Sequence, residues 1–227
     1  MSPLLNGDDP GYWITEGVLS PKECDALASL LCRQRLPRGR AGGRHLMSNQ
    51  DIAAVAADER LLRIARPALG GRAVAYRATL FEKTASANWL VAWHQDTALP
   101  IESPFESDEW GPWSTKAGIH YAHAPGWALN RIVALRIHID SSTIDNGPLR
   151  VIPGSHREGV LTDEQVRERA RARKPVECEV GVGGVLAMRP LLIHSSSKGH
   201  SGEARRVIHI EYAESLDLSP GIRLAIA

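Results

Sequence analysis

The periodicity of apolar residues changes near Gly70, and this change limits the architectures open to the chain. Before it, residues 20–31 and 49–66 repeat apolar positions at helical spacing, with a basic, glycine-bearing loop (residues 35–44) between them. Residues 20–23 (Ser-Pro-Lys-Glu) carry the capping-box signature of a helix start, and residues 49–66 are expected to form two helices rather than one. After it, residues 70–213 form short apolar or alternating runs separated by turn residues, which is typical of strands. Helices followed by many short strands predict one mainly β domain with an N-terminal helical layer.

The 227 residues fit a single domain, and their composition argues against several classes of protein. A net charge of +1 gives no long-range attraction to nucleic acid, and no run of about 20 apolar residues suits a membrane span. The N-terminus lacks the basic start and apolar core of a signal peptide, so we expect a cytoplasmic protein. Three cysteines without CxxC spacing predict free thiols. The oligomeric state is left open.

Residues 100–128 interrupt the strand pattern with a stretch rich in proline, glycine, tryptophan and histidine. The stretch is too long for a simple connection, which predicts a lid-like or pocket-forming insertion. Its polar and aromatic side chains could contact a substrate, and the candidates we single out are Trp113, Lys116 and His120. Trp110 and Trp113 could equally pack the insertion onto the rest of the domain.

Two His-x-Asp pairs, His94-Gln95-Asp96 and His138-Ile139-Asp140, are candidates for a metal site. Residues i and i+2 of a strand point the same way, so either pair could direct an imidazole and a carboxylate to one metal ion. The first pair ends an apolar run and opens a loop, where ligands can converge. The second continues a regular alternation, which predicts a strand whose polar face, with Arg136, His138 and Asp140, lines a cavity. The residues by themselves favour the first pair only slightly.

The C-terminal strands offer a third ligand and an anion-binding residue. His194 ends the apolar residues 191–193 and precedes three serines, so it is either a ligand or a buried histidine that the serines satisfy. Arg205 and Arg206 begin a strand, where a fixed guanidinium could bind a carboxylate in bidentate fashion. Alternation places the two arginines on opposite faces but does not choose between them.

Several segments, in this order along the chain, resemble the phytanoyl-CoA dioxygenase family: Trp93-His94-Gln95-Asp96, residues 146–156 (NGPLRVIPGSH), and His194 followed eleven residues later by Arg205. The resemblance covers nearly the whole chain. We expect residues 1–227 to form a single domain. It implies a double-stranded β-helix, the jelly-roll barrel that cupins also have, over residues of about 70–213, with the helical layer at about 20–66.

The resemblance also implies a site. It assigns Fe(II) to His94, Asp96 and His194, and the far carboxylate of 2-oxoglutarate to Arg205. Three further residues would lie near the co-substrate: Arg136, Ser196 and Lys83. The implied reaction consumes O2 and 2-oxoglutarate, releases succinate and CO2, and oxidises a small molecule, with His138 and the insertion as candidate substrate contacts. Related halogenases replace the carboxylate ligand with a small residue, so Asp96 favours hydroxylation or another oxidation over halogenation.

Two alternatives keep the same barrel but differ in chemistry. A cupin-like metalloenzyme would retain the metal site and make no use of Arg205. A metal-dependent small-molecule binder would catalyse no reaction. Oxygen-dependent formation of succinate from 2-oxoglutarate distinguishes a 2-oxoglutarate-dependent oxygenase from both alternatives. The sequence does not name the substrate, although the compact chain favours a free small molecule over a carrier-bound one.

Overall fold

The structure, a computed structural model, describes residues 9–33, 38–39, 42–84 and 87–227. The helices are α1 (Pro21–Arg33), α2 (Gln50–Ala56), α3 (Glu59–Ala65), α4 (Gly126–Leu129) and α5 (Asp163–Ala172). The strands of the N-terminal half are β1 (Tyr12–Thr15), β2 (Arg38–Gly39), β3 (Gly42–Gly43), β4 (Val74–Lys83), β5 (Val91–His94), β6 (Ala98–Ile101), β7 (Trp113–Lys116) and β8 (Ile119–His123). Those of the C-terminal half are β9 (Ile132–His138), β10 (Leu149–Val151), β11 (Val176–Cys178), β12 (Val185–Met188), β13 (His194–Ser196), β14 (Arg205–Ala213), β15 (Asp217–Ser219) and β16 (Ile222–Arg223).

Two antiparallel sheets build the barrel. The larger has the strand order β1-β12-β9-β14-β4-β3-β2, and the smaller has the order β11-β10-β13-β5. Neighbouring strands in both sheets are mostly distant in sequence, as in a double-stranded β-helix. Strands of both sheets line one cavity, described below. The predicted mainly β jelly-roll fold with a helical layer is confirmed.

The helical layer covers one face of the larger sheet. Leu135 and Ile137 of β9 belong to the same buried apolar cluster as Leu31 of α1 and Ile52 of α2. The intervening side chain, Arg136, points to the other face and lines the cavity. The alternation predicted for this strand therefore separates a dry interface with the helices from the polar interior of the barrel.

Local capping signals define the helices. Before α1, Ser20 and Glu23 form the predicted capping box: the Ser20 N–H donates to Glu23 Oε2 at 2.7 Å, and the Glu23 N–H donates to Ser20 Oγ at 3.3 Å. The helical pattern of residues 49–66 is divided into α2 and α3, as expected, because Asp58 caps a new helix by accepting a hydrogen bond from the Arg60 N–H.

The insertion at residues 100–128 is folded. Its strands β7 and β8 pair with each other, and β8 also pairs with β6, which gives a three-stranded sheet in the order β6-β8-β7. Trp110 is buried and packs edge-on against Phe105 and Trp127, with ring centroids 5.5 and 6.0 Å away, and Trp113 packs edge-on against Phe105 at 5.3 Å. The tryptophans thus help to form an apolar cluster of the insertion. Movement of this unit as a lid stays a prediction.

In the part of the chain that the structure describes, no helix combines the length and the apolar character that a membrane crossing requires. The cysteines Cys24, Cys32 and Cys178 are free, as their spacing predicted.

Candidate metal centre and anion-binding cavity

His94, Asp96 and His194 converge at one edge of the smaller sheet. The strand β5 ends at His94 and β13 begins at His194, and these two residues are direct cross-strand partners with ring centroids 4.1 Å apart. Asp96 places one carboxylate oxygen 3.6 Å from His94 Nε2 and the other 3.5 Å from His194 Nε2. One ligand atom from each residue lies within 4.8 Å of the others, and no second such group is found among the described residues.

Backbone carbonyls orient both imidazoles toward the carboxylate of Asp96. His94 Nδ1 lies 2.8 Å from the Ala92 carbonyl oxygen, and His194 Nδ1 lies 2.8 Å from the Leu192 carbonyl oxygen. A carbonyl oxygen only accepts, so each Nδ1 carries a proton and each Nε2 presents its lone pair. Burial and the neighbouring His94 lower the pKa of His194, which keeps this imidazole in the neutral form that binds metals.

Gln95 anchors the loop between the two ligands of the first His-x-Asp pair. Its Nε2 donates to the carbonyl oxygens of Gly159 at 2.9 Å and Leu191 at 2.7 Å, and its Oε1 accepts from the Leu161 N–H at 2.9 Å. The sequence analysis quoted Gln95 without giving it a role. Its partners lie 64 to 96 residues away in the sequence, so no local pattern predicts these hydrogen bonds. The only hint of an anchoring role was the position of an amide side chain between two candidate ligands.

Replacing Gln95 with alanine should lower the free energy of unfolding by about 2–3 kcal/mol, because three hydrogen bonds are lost and their buried partners stay unsatisfied. Denaturant unfolding of the purified proteins measures this. Gln50→Ala is the matched control, since Gln50 is exposed at the start of α2 and should change stability by less than about 0.5 kcal/mol. Equal losses in the two variants would contradict the anchoring role.

Three buried cations line the same cavity as the candidate metal ligands: Lys83, Arg136 and Arg205. Their exposed fractions are 2%, 6% and 2%, and the described residues provide no carboxylate within ion-pair distance of any of them. Arg205 Nε and Nη1 and Arg136 Nε have no hydrogen-bond partner among the described residues. Buried donors without partners are costly, so the arrangement indicates a site shaped for an anion.

Strand register assembles this cationic end of the cavity. Lys83 at the end of β4 lies opposite Arg205 at the start of β14. Ser196 on β13 joins them: its Oγ accepts from Lys83 Nζ at 2.7 Å and from Arg205 Nη2 at 3.5 Å, and donates to the Gly147 carbonyl oxygen at 2.9 Å. Lys83 also donates to the carbonyl oxygen of Ser197. The three residues that the family resemblance placed near a co-substrate therefore lie with Arg205 in one cavity.

Arg205 and Arg206 differ in their partners. Arg206 binds Asp140 in bidentate fashion, with Nε and Nη2 donating to the two carboxylate oxygens at 2.8 and 2.7 Å. The strand β9 has ended at His138, so Asp140 has left the alternation and turns toward this arginine. Arg205 faces the cavity instead. The polar face predicted for residues 131–140 is therefore wrong in part: Arg136 lines the cavity, whereas His138 and Asp140 do not.

Burial lowers the pKa values of these three cations, and neighbouring cations lower those of Arg205 and Lys83 further. Burial, followed by Arg136, lowers the pKa of Arg205 to about 9, and burial lowers the pKa of Arg136 to about 10. Burial, with the charges of Arg205, Arg136 and Arg150, lowers the pKa of Lys83 to about 7. Each shift means that the charged form is disfavoured in the ligand-free protein, and a bound anion would relieve this cost.

A network of satisfied polar groups forms the opposite wall of the cavity. Glu211 accepts from Tyr76 Oη at 2.7 Å and contacts Arg77 Nη1 at 3.1 Å and His209 Nε2 at 3.3 Å. His209 Nδ1 in turn lies 3.3 Å from Arg136 Nη1. Glu211 is a functional candidate that the sequence analysis missed, although alternation along β14 puts it on the same face as Arg205 and His209.

The remaining predicted substrate contacts lie outside this cavity. Trp113, Lys116 and His120 are on β7 and β8 of the insertion, and none of them lines it. His138 is buried in β9 and also does not line it. Burial, with Arg136 and Arg205, lowers the pKa of His138 to about 3. As substrate contacts these four residues stay predictions.

Comparisons with known proteins agree with this architecture. L-proline trans-4-hydroxylase of Streptomyces griseoviridis is 28% identical over 178 residues, which cover 67% of this chain and 59% of that protein. The chain thus spans less than two thirds of the length of this relative. The fold matches AviO1 from Streptomyces viridochromogenes Tue57 (TM-score 0.65, 22% identity, 98% of this chain and 96% of that one). It also matches EctD from S. alaskensis with bound Fe (TM-score 0.69, 22% identity, 94% and 76%).

The sequence profile of the family described as phytanoyl-CoA dioxygenase matches residues 7–207, which span the metal ligands and the first three residues of β14. A match over most of the chain, together with the shared fold, identifies its family. The chain belongs to the phytanoyl-CoA dioxygenase family.

Proposed function

We propose that this protein is a non-haem Fe(II)- and 2-oxoglutarate-dependent dioxygenase that hydroxylates a small molecule. One observation carries the proposal: two oriented imidazoles and a carboxylate share a cavity with Arg205, a buried guanidinium that lacks an anionic partner. Two histidines and one carboxylate are the donor set of the non-haem Fe(II) oxygenases, and they leave coordination positions open. A dicarboxylate that reaches from these positions to Arg205 would satisfy both ends of the cavity.

Different residues of the cavity would bind the metal and the co-substrate. Bound iron would supply the oxidative chemistry, in which O2 and 2-oxoglutarate yield succinate, CO2 and an oxidised substrate. His94, Asp96 and His194 would hold the metal, with their orientation set by the carbonyl contacts of the imidazoles. Arg205 would bind the far carboxylate of 2-oxoglutarate, with Ser196, Lys83 and Arg136 beside it.

Relatives support a small-molecule substrate. One structure of EctD from S. alaskensis is described with 2-oxoglutarate and 5-hydroxyectoine, and the relative from S. griseoviridis is named for hydroxylation of L-proline. Both names refer to compact substrates rather than to carrier-bound ones. The carboxylate ligand Asp96 favours hydroxylation over halogenation, because a halide needs the position that this carboxylate would occupy. A small metabolite is therefore the proposed substrate class.

The cationic end of the cavity favours this proposal over the two alternatives. A cupin-like metalloenzyme without a dicarboxylate co-substrate has no use for Arg205, and neither has a simple metal-dependent binder. A buried guanidinium whose Nε and Nη1 lack partners is costly to maintain, and binding of a carboxylate offsets that cost.

Purified protein tests the proposal directly. Anaerobic addition of Fe(II) followed by 2-oxoglutarate should produce a metal-to-ligand charge-transfer absorption band, and admission of O2 should then yield succinate even without the substrate. Omitting Fe(II) or O2 should prevent succinate formation. Protein that binds Fe(II) but neither binds 2-oxoglutarate nor forms succinate would overturn the proposal in favour of the alternatives.

The affinity for 2-oxoglutarate should fall as the pH rises from about 7 to about 8.5. Lys83 has a pKa of about 7 in the ligand-free protein, and a bound carboxylate stabilises the protonated amine, so binding takes up a proton above this pH. The expected loss approaches tenfold per pH unit. Isothermal titration of the metal-loaded protein measures it.

Lys83→Met should bind 2-oxoglutarate more weakly at pH 6 and show a flatter profile above pH 7, because the titrating amine is absent. Lys198→Met is the matched control, since Lys198 is exposed and should retain the slope of the unmodified protein. The same slope in Lys83→Met would show that another group causes the pH dependence.

A further inference from the structure

A second group of cations lies beyond the cavity, around Tyr121 of β8. We call it the Tyr121 cluster, and its members are Arg44, His45, Arg77, Lys116 and Tyr121. Lys116 Nζ lies 4.9 Å from the centre of the Tyr121 ring, the guanidinium carbon of Arg77 lies 5.3 Å from it, and His45 Nε2 lies 2.9 Å from Tyr121 Oη. The proposed oxygenase reaction makes no use of this cluster.

Two hairpins bring the cluster together. The hairpin β2–β3 extends the larger sheet, with Gly42 opposite Phe81 and Gly43 opposite Leu80 of β4. A Cβ atom on Gly42 would lie 1.9 Å from the Leu80 carbonyl oxygen, so only glycine allows this approach. Arg44 follows directly and is thereby held beside the edge of the barrel. The hairpin β7–β8 of the insertion supplies Lys116 and Tyr121, as well as the hydroxyl group that contacts His45.

The cluster has an excess of positive charge. Glu211 pairs with Arg77, whereas no described carboxylate lies within ion-pair distance of Arg44 or Lys116. Burial and the charges of Arg44 and Arg77 lower the pKa of Lys116. Burial, Arg77, Arg44 and Lys116 lower the pKa of His45 in the same way. Like charges that crowd without a counter-charge are what an anion-binding site presents before its ligand arrives.

The sequence around this hairpin is basic. Residues 33–44 contain five arginines, although the whole chain has a net charge of only +1. Of this segment, β2 and β3 pair with each other, and β3 pairs with β4 at the edge of the larger sheet. Such a local excess of one sign attracts an anion that approaches from solvent.

Arg77 connects the cluster to the cavity. It lines the cavity together with His94 and Asp96, while its guanidinium also lies over the Tyr121 ring. Its ion pair with Glu211, at 3.1 Å, fixes it between the two regions. The cluster and the cavity therefore share Arg77, which places the cluster next to the cavity that contains His94 and Asp96.

We propose that the Tyr121 cluster binds the anionic group, a carboxylate or a phosphate, of the substrate, while the rest of the substrate extends past Arg77 to the metal centre. The identification of the bound molecule as a substrate rests on the proposed function, whereas anion binding by the cluster does not. Lys116, a predicted substrate contact of the insertion, would then contact the anionic group rather than the reacting carbon.

The experiment measures anion binding by the full chain without iron. Inorganic phosphate and, separately, acetate are titrated into the unmodified protein, into a double variant of the cluster (Arg44→Ala with Lys116→Ala), and into a control double variant (Arg72→Ala with Lys174→Ala). All four side chains are exposed, and both variants lose two positive charges. We expect the cluster variant to bind at least one of the anions about tenfold more weakly than the other two proteins.

Anion binding at Arg205 and Arg136 is expected to be the same in all three proteins. The test is therefore the difference in anion affinity between the cluster variant and the control variant. Weakening for phosphate alone identifies a phosphate-bearing substrate, and weakening for acetate as well identifies a carboxylate. Equal affinities in the three proteins for both anions would overturn the proposal. Succinate formation is measured in parallel: its absence refutes the oxygenase function and leaves the result at the cluster intact.

Discussion

Replacing His94 with alanine should abolish the Fe(II)-dependent conversion of 2-oxoglutarate to succinate. His94 supplies one of three converging ligand atoms, and two remaining ligands on a loop and a strand end hold a metal ion poorly. Loss of a residue that merely orients a ligand costs about 10–100-fold in metal affinity, so loss of a ligand should cost about 100-fold or more. Equilibrium dialysis with Fe(II) and quantification of succinate check both parts of the expectation.

His200→Ala is the matched control for this variant. His200 is an exposed loop residue and is not one of the three residues at the metal centre, so its loss should leave both metal binding and succinate formation unchanged. Succinate formation by His94→Ala at the rate of the unmodified protein would remove His94 from the metal centre and return the competing His-x-Asp pair to consideration.

Replacing Arg205 with methionine should change two properties in opposite directions. Affinity for 2-oxoglutarate should fall at least about 30-fold, because truncating one partner of a buried charged pair costs about 2–5 kcal/mol. The ligand-free protein should become more stable by about 1–4 kcal/mol, because a buried and unpaired cation is replaced by an apolar side chain of similar length. Isothermal titration and denaturant unfolding measure the two effects.

Arg206→Met separates the role of Arg205 from a general effect of positive charge. Arg206 is the adjacent residue on the opposite face of β14 and is paired with Asp140. Its replacement should reduce stability, because Asp140 loses its partner, and should leave the affinity for 2-oxoglutarate unchanged. If Arg205→Met bound 2-oxoglutarate as tightly as Arg206→Met does, the assignment of the anion site to Arg205 would be wrong.

The two variants together distinguish the proposed dioxygenase from its alternatives. A cupin-like metalloenzyme or a metal-dependent binder would lose its metal in His94→Ala but would be indifferent to Arg205→Met in its function. A 2-oxoglutarate-dependent enzyme requires both residues. The pattern across the pair is therefore more informative than either variant alone.

Local sequence signals predicted the secondary structure well. The capping box of Ser20 and Glu23 starts α1, because its hydrogen bonds join residues only three positions apart. Alternation correctly gave Arg136 a different face from Leu135 and Ile137, since side-chain direction along a strand depends on the backbone of that strand alone.

The residues of the candidate site could not be predicted from local sequence signals. Spacing left the pairs His94-Gln95-Asp96 and His138-Ile139-Asp140 almost equally supported, and the family resemblance was needed to choose the first. The structure explains the choice, because the pairing of β5 with β13 sets His194 opposite His94, whereas Asp140 is engaged by Arg206. The Tyr121 cluster likewise joins two hairpins that no local pattern relates.

The sequence by itself determined the helical layer, the strands with their inward and outward faces, and, through its family resemblance, the residues to examine. Only the tertiary structure decided which of them meet: His194 beside His94, Lys83 beside Arg205, and Gln95 bonded to Gly159 and Leu191. The physical reason is that faces and caps follow from contacts a few residues apart. Convergence of side chains about 100 residues apart depends instead on strand register and sheet order, which periodicity along one strand does not contain.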